Sequence, residues 1–269
     1  MNDDVVADRH VIHQCQRDFL ADAAEFDADR EAVLDAARAG GVGGFLVPAV
    51  GASNFDAVAA LSAAHPDCRH AFGIHPMYVR QACEADLEHL RERLGDGSAV
   101  AVGEIGLDGF MQDGSLPLQL RYFEAQLRLA RAFELPVVLH IRRAQDEILK
   151  LLRRIRPPGG IAHAFNGSLQ QAEAFIKLGF RLGFGGAMTY TGSRRIRQLA
   201  AELPLSAIVL ETDAPDIPPA WAAGQRNDPV NLGRFAGELA TLRGMPMAEV
   251  VEATCANAVA AIPGLAGLT

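Results

Sequence analysis

A regular alternation of short apolar runs and longer amphipathic segments is the feature that most restricts how this chain can fold. The apolar runs, such as Phe45-Leu-Val-Pro-Ala-Val50 and Ala99-Val-Ala-Val-Gly-Glu104, end at glycine, proline or a polar residue. Between them lie segments with apolar residues at helical spacing, such as residues 116–133. Short runs without polar alternation predict strands that are buried on both faces. The repeated order of strand and helix therefore predicts a parallel sheet.

Eight strands are predicted if the ambiguous stretch at residues 5–15 is counted as the first. Eight parallel strands close a (β/α)8 or TIM barrel, and a chain of 269 residues commonly forms one such domain. We therefore expect a single α/β TIM-barrel domain over residues 1–269, in which residues 1–26 have an uncertain register. A doubly wound sheet is the alternative, but it gathers ligands at one switch point and not from several strands. The other strands are expected near residues 45–50, 70–75, 99–108, 136–140, 160–163, 180–186 and 207–213, with helices near 27–40, 54–64, 84–94, 116–133, 144–154, 168–178, 194–202, 231–242 and 247–260.

Charge and cysteine content exclude several classes of protein. The net charge of −8 argues against a broad basic face for nucleic acid, so a polyanionic substrate would need local arginines or metal ions. The N-terminus lacks the apolar core of a signal peptide, and no stretch reaches the roughly 20 apolar residues that cross a bilayer. We therefore expect a cytoplasmic protein that does not enter the membrane. The cysteines form no Cys-x-x-Cys pair, which favours reduced thiols at Cys15, Cys68, Cys83 and Cys255.

Four of the predicted strands end in side chains that commonly bind metal ions. Glu104 ends one strand, His140 the next and His163 a third. The last strand ends in Glu211-Thr-Asp213, whose two carboxylates are expected on one face. Because the ends of parallel strands meet at one edge of a barrel, these side chains are expected to lie together. Buried carboxylates need a partner, so a cation is expected among them.

These residues predict a particular chemistry. Imidazole and carboxylate ligands suit zinc and manganese, and suit magnesium less well. Glu104 has two oxygens and could bridge two ions. A divalent ion lowers the pKa of its bound water from about 16 toward about 7 and stabilises charge on a phosphoryl or carbonyl oxygen. The sequence therefore predicts a metal-dependent hydrolase.

Basic residues near the same strand ends are candidates for binding an anionic substrate. Two arginines, Arg142 and Arg143, follow His140 closely. Three more open a predicted helix whose N-terminus favours anions, namely Arg194, Arg195 and Arg197. Arginine binds phosphate through two parallel hydrogen bonds. A solvated helix face explains Arg194 equally well. His75, at the end of another predicted strand, is a candidate for orienting substrate or donating a proton, with a structural role as the alternative.

The residues around these candidates resemble the TatD-type metal-dependent hydrolases and nucleases, within the amidohydrolase-like barrels. The resemblance covers nearly the whole chain from about residue 27. Two stretches, residues 167–172 and 182–189, are similar to a less-studied branch of deoxyribonuclease-like members without a firm substrate. The matching motifs are Gly73-Ile-His-Pro76, Gly103-Glu-Ile-Gly-Leu-Asp108, Pro136-Val-Val-Leu-His-Ile-Arg142 with Ala144 and Asp146, His163-Ala-Phe-Asn-Gly-Ser168, Glu211-Thr-Asp-Ala-Pro215 and Arg226-Asn227.

The resemblance implies a divalent-metal phosphodiesterase, a deoxyribonuclease acting on nucleic acid or another phosphodiester, without an obligate protein partner. It implies one bound ion of magnesium, manganese or zinc, with Asp213 also taking the proton from the attacking water. Glu211 and His75 complete the predicted catalytic set. The predicted substrate-binding residues are Arg142, Asn166 and Arg194, and the implied metal ligands are Glu104, His140, His163 and Asp213.

One departure from the family concerns a second ion. The family opens with a strand ending in Asp-x-His-x-His, whose two histidines hold one ion of a pair, and this chain has no His-x-His. Gln14 and Gln16 occupy the nearest positions, and a neutral amide oxygen is a weak ligand beside imidazole. His10 and His13 are the other candidates, but three residues apart on a strand they point to opposite faces. On a helical turn they would share a face.

Two further functions stay open at this point. The missing His-x-His favours a barrel that has lost catalysis and serves as a binding or scaffold protein. The same metal site could also direct water at an amide or ester in place of a phosphodiester.

Overall fold

The structure is a computed structural model that describes residues 10–12, 26 and 28–268. These residues form an all-parallel sheet in which each strand pairs with the next along the chain, in the order β1 to β8. Helices alternate with the strands, so the predicted parallel α/β architecture is confirmed. The strands are β1 (His10–Ile12), β2 (Val42–Pro48), β3 (Cys68–Phe72), β4 (Ala101–Asp108), β5 (Val137–Arg142), β6 (Gly160–Ala162), β7 (Phe180–Phe184) and β8 (Ile208–Leu210).

The helices agree with the predicted segments to within a few residues. Helix α4 follows the 116–133 pattern closely, because its apolar residues face the sheet and proline occupies its first turn. Helix α6 begins after Ser168, whose side chain accepts a hydrogen bond from the Gln171 backbone, as in a capping box. The helices are α1 (Arg30–Ala39), α2 (Phe55–Ala64), α3 (Glu84–Gly95), α4 (Leu116–Ala132), α5 (Gln145–Ile155), α6 (Leu169–Lys177), α7 (Arg194–Glu202), α8 (Leu232–Arg243) and α9 (Met247–Ala261).

The apolar side chains form two layers, one on each side of the sheet. The larger cluster packs the helices against the outer face of the strands. A smaller inner cluster takes one buried residue from each of six strands, and the C-terminal residues after α9 cover it. Helix α9 contacts β1, β7 and β8 and therefore packs beside both ends of the strand order. The strand residues of the inner cluster are Leu46, Ala71, Ala101, Val138, Ile161 and Val209.

Five predicted strands end earlier in the structure than the sequence suggested, β2 by two residues and β6 by one among them. Strand β3 ends at Phe72, so His75 lies three residues beyond it. Strand β8 ends at Leu210, so Glu211 and Asp213 lie in the following loop and the expectation that they share a strand face is wrong. The physical reason is the backbone of Asp213, whose φ of 57° is left-handed and incompatible with a strand. Strand β7 ends at Phe184, two residues before its predicted end.

No helix among the described residues is both long and apolar enough to cross a bilayer.

Candidate metal centre

An open cleft of about 760 Å³ lies where the strands end at their carboxyl termini. Its walls come from the loops after β3, β4, β5, β6 and β8, which are distant in the sequence. The cleft therefore collects side chains that only the parallel sheet can bring together. Five of the predicted site residues line it with their side chains close to the floor, namely His75, Glu104, His140, His163 and Asp213.

The first half of the cleft is built around Glu104, on β4. The Glu104 Oε1 atom lies 3.1 Å from His140 Nδ1 and 3.5 Å from His75 Nε2. One ligand atom from each of these three residues falls within 4.8 Å of the others, an arrangement that can hold a metal ion. Glu104 is buried with only 2% of its surface exposed, so its charge depends on these neighbours.

Asp108 orients the His140 ring from behind. The fully buried Asp108 carboxylate places Oδ2 3.2 Å from His140 Nε2, and its Oδ1 accepts a hydrogen bond from the Phe110 backbone. A proton on Nε2 then faces Asp108 and leaves the Nδ1 lone pair facing Glu104 and the cleft. Carboxylates hold metal-binding histidines in this way in many proteins. Asp108 is a site residue that the sequence reasoning missed, although it stands inside the recognised motif.

The second half of the cleft repeats this arrangement with different residues. His163 follows β6, and its Nε2 lies 3.2 Å from Asp213 Oδ1. Its Nδ1 lies 2.9 Å from Glu211 Oε1, which also accepts a hydrogen bond from the Ala164 backbone. Glu211 therefore stands behind His163 as Asp108 stands behind His140. Its position suits a role in orienting His163, and the catalytic role predicted from the sequence stays a prediction.

Gly183 on β7 has no side chain, and this leaves room for the Glu211 carboxylate. A Cβ atom added to Gly183 would lie 2.0 Å from Glu211 Oε2 and 2.4 Å from its carboxyl carbon. Those distances are far below van der Waals contact, so no residue other than glycine fits beside this carboxylate. The sequence showed Gly183 only as part of a glycine-rich strand end.

His75 differs from the other two histidines in which nitrogen carries its proton. The His75 Nδ1 atom accepts a hydrogen bond from the Met77 backbone at 3.2 Å. A neutral ring that accepts at Nδ1 carries its hydrogen on Nε2, the atom that faces Glu104. His75 therefore presents a proton donor to the cleft, whereas His140 and His163 each have a carboxylate on the far side of the ring.

The electrostatics of the first half favour a charged cluster. Burial alone raises the pKa of the Glu104 carboxyl, but His75, His163 and His140 outweigh burial and hold the pKa well below its usual value. Burial also disfavours the charged form of His140, yet Asp108 and Glu104 more than offset it and raise the pKa of the ring. A cation that binds His140 would displace this proton.

The second half is short of positive charge. Burial raises the pKa of Asp213; His163 offsets part of this rise, and the nearby Glu104 and Glu211 make smaller contributions that raise the pKa further. Because Glu104 and Asp213 repel each other across the cleft, a divalent cation would lower the energy of both carboxylates. Imidazole and carboxylate donors suit a cation such as zinc or manganese. Among the described residues, only His75, Glu104 and His140 form a group of three whose ligand atoms lie within 4.8 Å of one another, and His163 and Asp213 lie outside that group.

Buried amide side chains hold the backbone next to three site residues. Gln126 of α4 accepts from the Ile74 backbone and donates to its carbonyl, beside His75. Gln119 of α4 accepts from the Asp108 backbone at 2.8 Å. Asn227 donates to the Thr212 carbonyl at 2.6 Å, beside Asp213. Sequence reasoning noted Asn227 as a motif residue but gave no role to the two glutamines.

The predicted substrate-binding residues differ in position. Arg142 and Asn166 line the cleft with exposed side chains. Arg194 opens α7 as expected, but the lining of the cleft contains its neighbour Arg195 instead. The helix turns the two adjacent side chains about 100° apart, so only one of them faces the strand ends.

The candidates for a second ion are only partly described. His10 lies in β1, where the structure defines the backbone. His13, Gln14 and Gln16 lie outside the described residues.

Residues 18–262 match the protein family described as TatD related DNase. This chain belongs to that family. It is 40% identical over 252 residues to the uncharacterized metal-dependent hydrolase YjjV of Escherichia coli strain K12, with 93% of this chain and 96% of the relative covered. It is 32% identical over 245 residues to the 3'-5' ssDNA/RNA exonuclease TatD of Erwinia tasmaniensis, with 88% of this chain and 94% of the relative covered. The family is one of metal-dependent hydrolases.

Solved structures agree with this assignment. The crystal structure of YjjV from Escherichia coli superposes with a TM-score of 0.90 at 38% identity, covering 96% of this chain and 99% of that one. A TatD family hydrolase from Entamoeba histolytica superposes with a TM-score of 0.81 at 17% identity, covering 94% and 97%, and shows the shared fold. The resemblance expected from the sequence motifs is confirmed.

Proposed function

We propose that this protein is a divalent-metal-dependent phosphodiesterase that hydrolyses nucleic acid, as a deoxyribonuclease would. Glu104, His140, His163 and Asp213 would hold the cation. The observation that carries the proposal is the paired arrangement in which one buried carboxylate stands behind each histidine and a second faces its other nitrogen. Such pairs orient metal ligands and raise their basicity.

A divalent cation at this site supplies Lewis acidity, which polarises a phosphoryl oxygen and lowers the pKa of water. Asp213 takes the proton from the attacking water, because its carboxylate lines the cleft beside His163. His75 presents its Nε2 proton and donates it to the leaving oxygen.

The substrate would lie across the strand ends. Arg142 and Arg195 line opposite parts of the same cleft and supply positive charge to bind phosphates. Asn166 also lines the cleft and can donate hydrogen bonds to the sugar-phosphate backbone. We further propose that β1 and β8, both packed on α9, complete a closed eight-stranded barrel in one domain. The cytoplasmic location stays a prediction.

We propose one cation for the described residues, since the family's usual ligands for a second are replaced by glutamine. The neutral amides of Gln14 and Gln16 would bind a second ion weakly. Variants with histidine at positions 14 and 16 test this point. If they bind one more ion per chain and hydrolyse faster, the missing histidines limit the natural protein.

The decisive experiment is a substrate panel assayed with manganese, zinc and magnesium in turn. Single-stranded DNA, double-stranded DNA and RNA represent phosphodiesters, and matched amides and esters represent the other hydrolase classes. Hydrolysis of the nucleic acids that Asp213→Asn abolishes supports the proposal. Turnover of an amide or ester alone would contradict it, and the absence of any turnover despite bound metal would indicate a binding protein.

A further inference from the structure

An exposed aromatic side chain stands at the rim of the cleft. Phe110 is 45% exposed, although most phenylalanines of the described chain are buried. It lines the same cleft as Glu104 and His140. An exposed aromatic ring beside a catalytic cleft is a common means of binding a planar group.

Two arginines pack against the Phe110 ring. The guanidinium carbon of Arg142 lies 4.1 Å from the ring centroid, and that of Arg143 lies 4.7 Å from it. Planar guanidinium groups stack on aromatic rings and on nucleobases, and they also pair with phosphates. We call the three side chains of Phe110, Arg142 and Arg143 the aromatic-arginine surface.

The positive charge of this surface is largely available to a ligand. Arg142 is 3.8 Å from Asp108 Oδ2, and 48% of its side chain is exposed. Arg143 has no carboxylate within 4.0 Å among the residues that the structure describes. The chain as a whole has a net charge of −8, so two adjacent exposed arginines at the cleft are a local exception. Charge therefore favours a polyanionic ligand here.

The surface is rigidly connected to the metal centre. Asp108 contacts His140 through Oδ2 and the Phe110 backbone nitrogen through Oδ1. The Gly109 backbone nitrogen donates to the Arg142 carbonyl at 2.6 Å. A Cβ at Gly109 would lie 2.5 Å from the Arg143 carbonyl oxygen, so glycine permits this close approach. One carboxylate thus fixes both the metal-binding ring and the position of the aromatic side chain.

We infer that the aromatic-arginine surface stacks an unpaired nucleobase next to the phosphodiester that is cleaved. The inference rests on the proposed phosphodiesterase function and adds the side chains that would hold a base beside the scissile bond. Stacking requires a base whose face is free, and inside a duplex the neighbouring base pairs cover both faces of every base except at the ends. Because every base has a π face and stacking reads no base edge, the surface would tolerate all four bases.

The test compares Phe110→Ala, Phe110→Trp and the control Met247→Ala. Met247 is an equally exposed apolar residue, at 44%, on α9 and away from the lining of the cleft. Each protein is assayed for kcat/KM on a single-stranded oligonucleotide and on the same strand with two abasic terminal nucleotides. We expect Phe110→Ala to lower kcat/KM on the normal strand by roughly 5- to 100-fold, with Phe110→Trp and Met247→Ala near wild type.

The abasic strand separates stacking from general damage to the site. If the base stacks on the surface, wild-type protein cleaves the abasic strand as poorly as Phe110→Ala cleaves the normal one. The Phe110→Ala substitution then changes abasic cleavage little. An equal loss on both strands, or no loss on either, would overturn the inference.

A binding measurement tests the stacking of the base without requiring the strand to be cleaved. 2-Aminopurine at the end of a single strand loses fluorescence when it stacks, and this signal can be followed with metal-free protein. We expect quenching with wild-type protein and Phe110→Trp but not with Phe110→Ala. Unchanged quenching in Phe110→Ala would overturn the inference even if the strand is cleaved. Failure of wild-type protein to cleave any phosphodiester would instead refute the proposed function.

Discussion

The two halves of the metal centre use the same pairing of carboxylate and histidine but support it differently. In the β4–β5 half, Glu104 and His140 belong to neighbouring paired strands, although the register of the pairing shifts between Val102 and Ile105. In the β6–β8 half, His163 and Asp213 lie beyond short strands, on loops. The first half is fixed by the sheet, whereas the second depends on side chains that hold its loops.

Asn227 shows how the second half is held. It is fully buried, and its Nδ2 donates to the carbonyls of Thr212, Asp216 and Ile217. These contacts fix the loop on which Asp213 adopts its left-handed backbone. In the first half, Gln119 accepts a hydrogen bond from the Asp108 backbone. The pairing of β4 with β5 also holds Asp108 opposite Arg142. Substitutions should therefore affect the two halves unequally.

The largest effect is expected from Glu104→Gln in the first half. The change removes the charge that faces His75 and His140 while keeping the side-chain shape. Losing a residue that supports a metal ligand costs about 10- to 100-fold in metal affinity or activity, and losing the ligand itself should cost more. We therefore expect hydrolysis to fall at least about 1,000-fold. Metal content per chain and kcat measure the loss.

Glu88→Gln on the exposed face of α3 is the matched control and should behave as wild type. Retention of bound metal together with full turnover in Glu104→Gln would contradict the role of Glu104.

Gly183→Ala should break the second half without touching a ligand. The added Cβ would meet Glu211 at 2.0 Å and displace the carboxylate from behind His163. We expect a loss of metal affinity of about 10- to 100-fold. Isothermal titration with manganese or zinc measures it. Gly237→Ala, whose added Cβ would lie 3.9 Å from Met247 Sδ, serves as control, and equal affinities in the two variants would contradict a role of Gly183 in the site.

Asn227→Ala and Gln119→Ala compare the two halves directly. Asn227→Ala leaves the buried carbonyl of Thr212 and the part-buried carbonyls of Asp216 and Ile217 without this donor, and should lower the free energy of unfolding by about 2 to 4 kcal/mol. Because the loop loses its support, turnover should fall roughly tenfold more than in Gln119→Ala, where the ladder still holds Asp108. Chemical denaturation and kcat test both statements. A larger loss of turnover in Gln119→Ala would reverse the comparison.

The last prediction concerns the pH dependence of folding stability, which a histidine outside both halves is expected to influence. His70 is buried on β3, hydrogen-bonds to Ser98 and lies near Arg93 and Arg69. Burial, followed by these two arginines, lowers the pKa of His70 from 6.5 to about 4. The unfolded chain therefore binds a proton at higher pH than the folded chain, so stability falls as pH drops from 6.5 to about 4.

The free energy of unfolding that is lost through His70 approaches about 3 kcal/mol at the acidic end of this pH range. Urea denaturation of wild-type protein and His70→Gln at several pH values isolates it, because other groups titrate alike in both. We expect the difference between the two proteins to change across this range and to be constant above it. A constant difference throughout would show that His70 does not cause the acid sensitivity.

The sequence predicted most of the first half and less of the second. Glu104 and His140 stand at the ends of long apolar runs, and the strand pattern alone predicts that they meet. The predicted strand through Asp213 was wrong in its last residues because the Asp213 backbone is left-handed, which no periodicity reveals. Arg194 and Arg195 are adjacent, so spacing could not decide which of them faces the cleft.

The supporting residues were hidden for a different reason. Gln119, Gln126 and Gly183 occupy ordinary positions in a helix or strand, and their importance depends on contacts with residues far away in the chain. Asp108 stood in a motif, but only the structure shows that it contacts both His140 and the Phe110 backbone. Long-range hydrogen bonds of this kind require the packed tertiary structure.

The most direct test of the central claim is anomalous diffraction from crystals grown with manganese or zinc. We expect an ion in the cleft within about 2.0 to 2.3 Å of Glu104, His140 Nδ1 and His163 Nε2, so that it joins the two halves. An ion bound through His75 without His163, or no ion at these residues, would contradict the account.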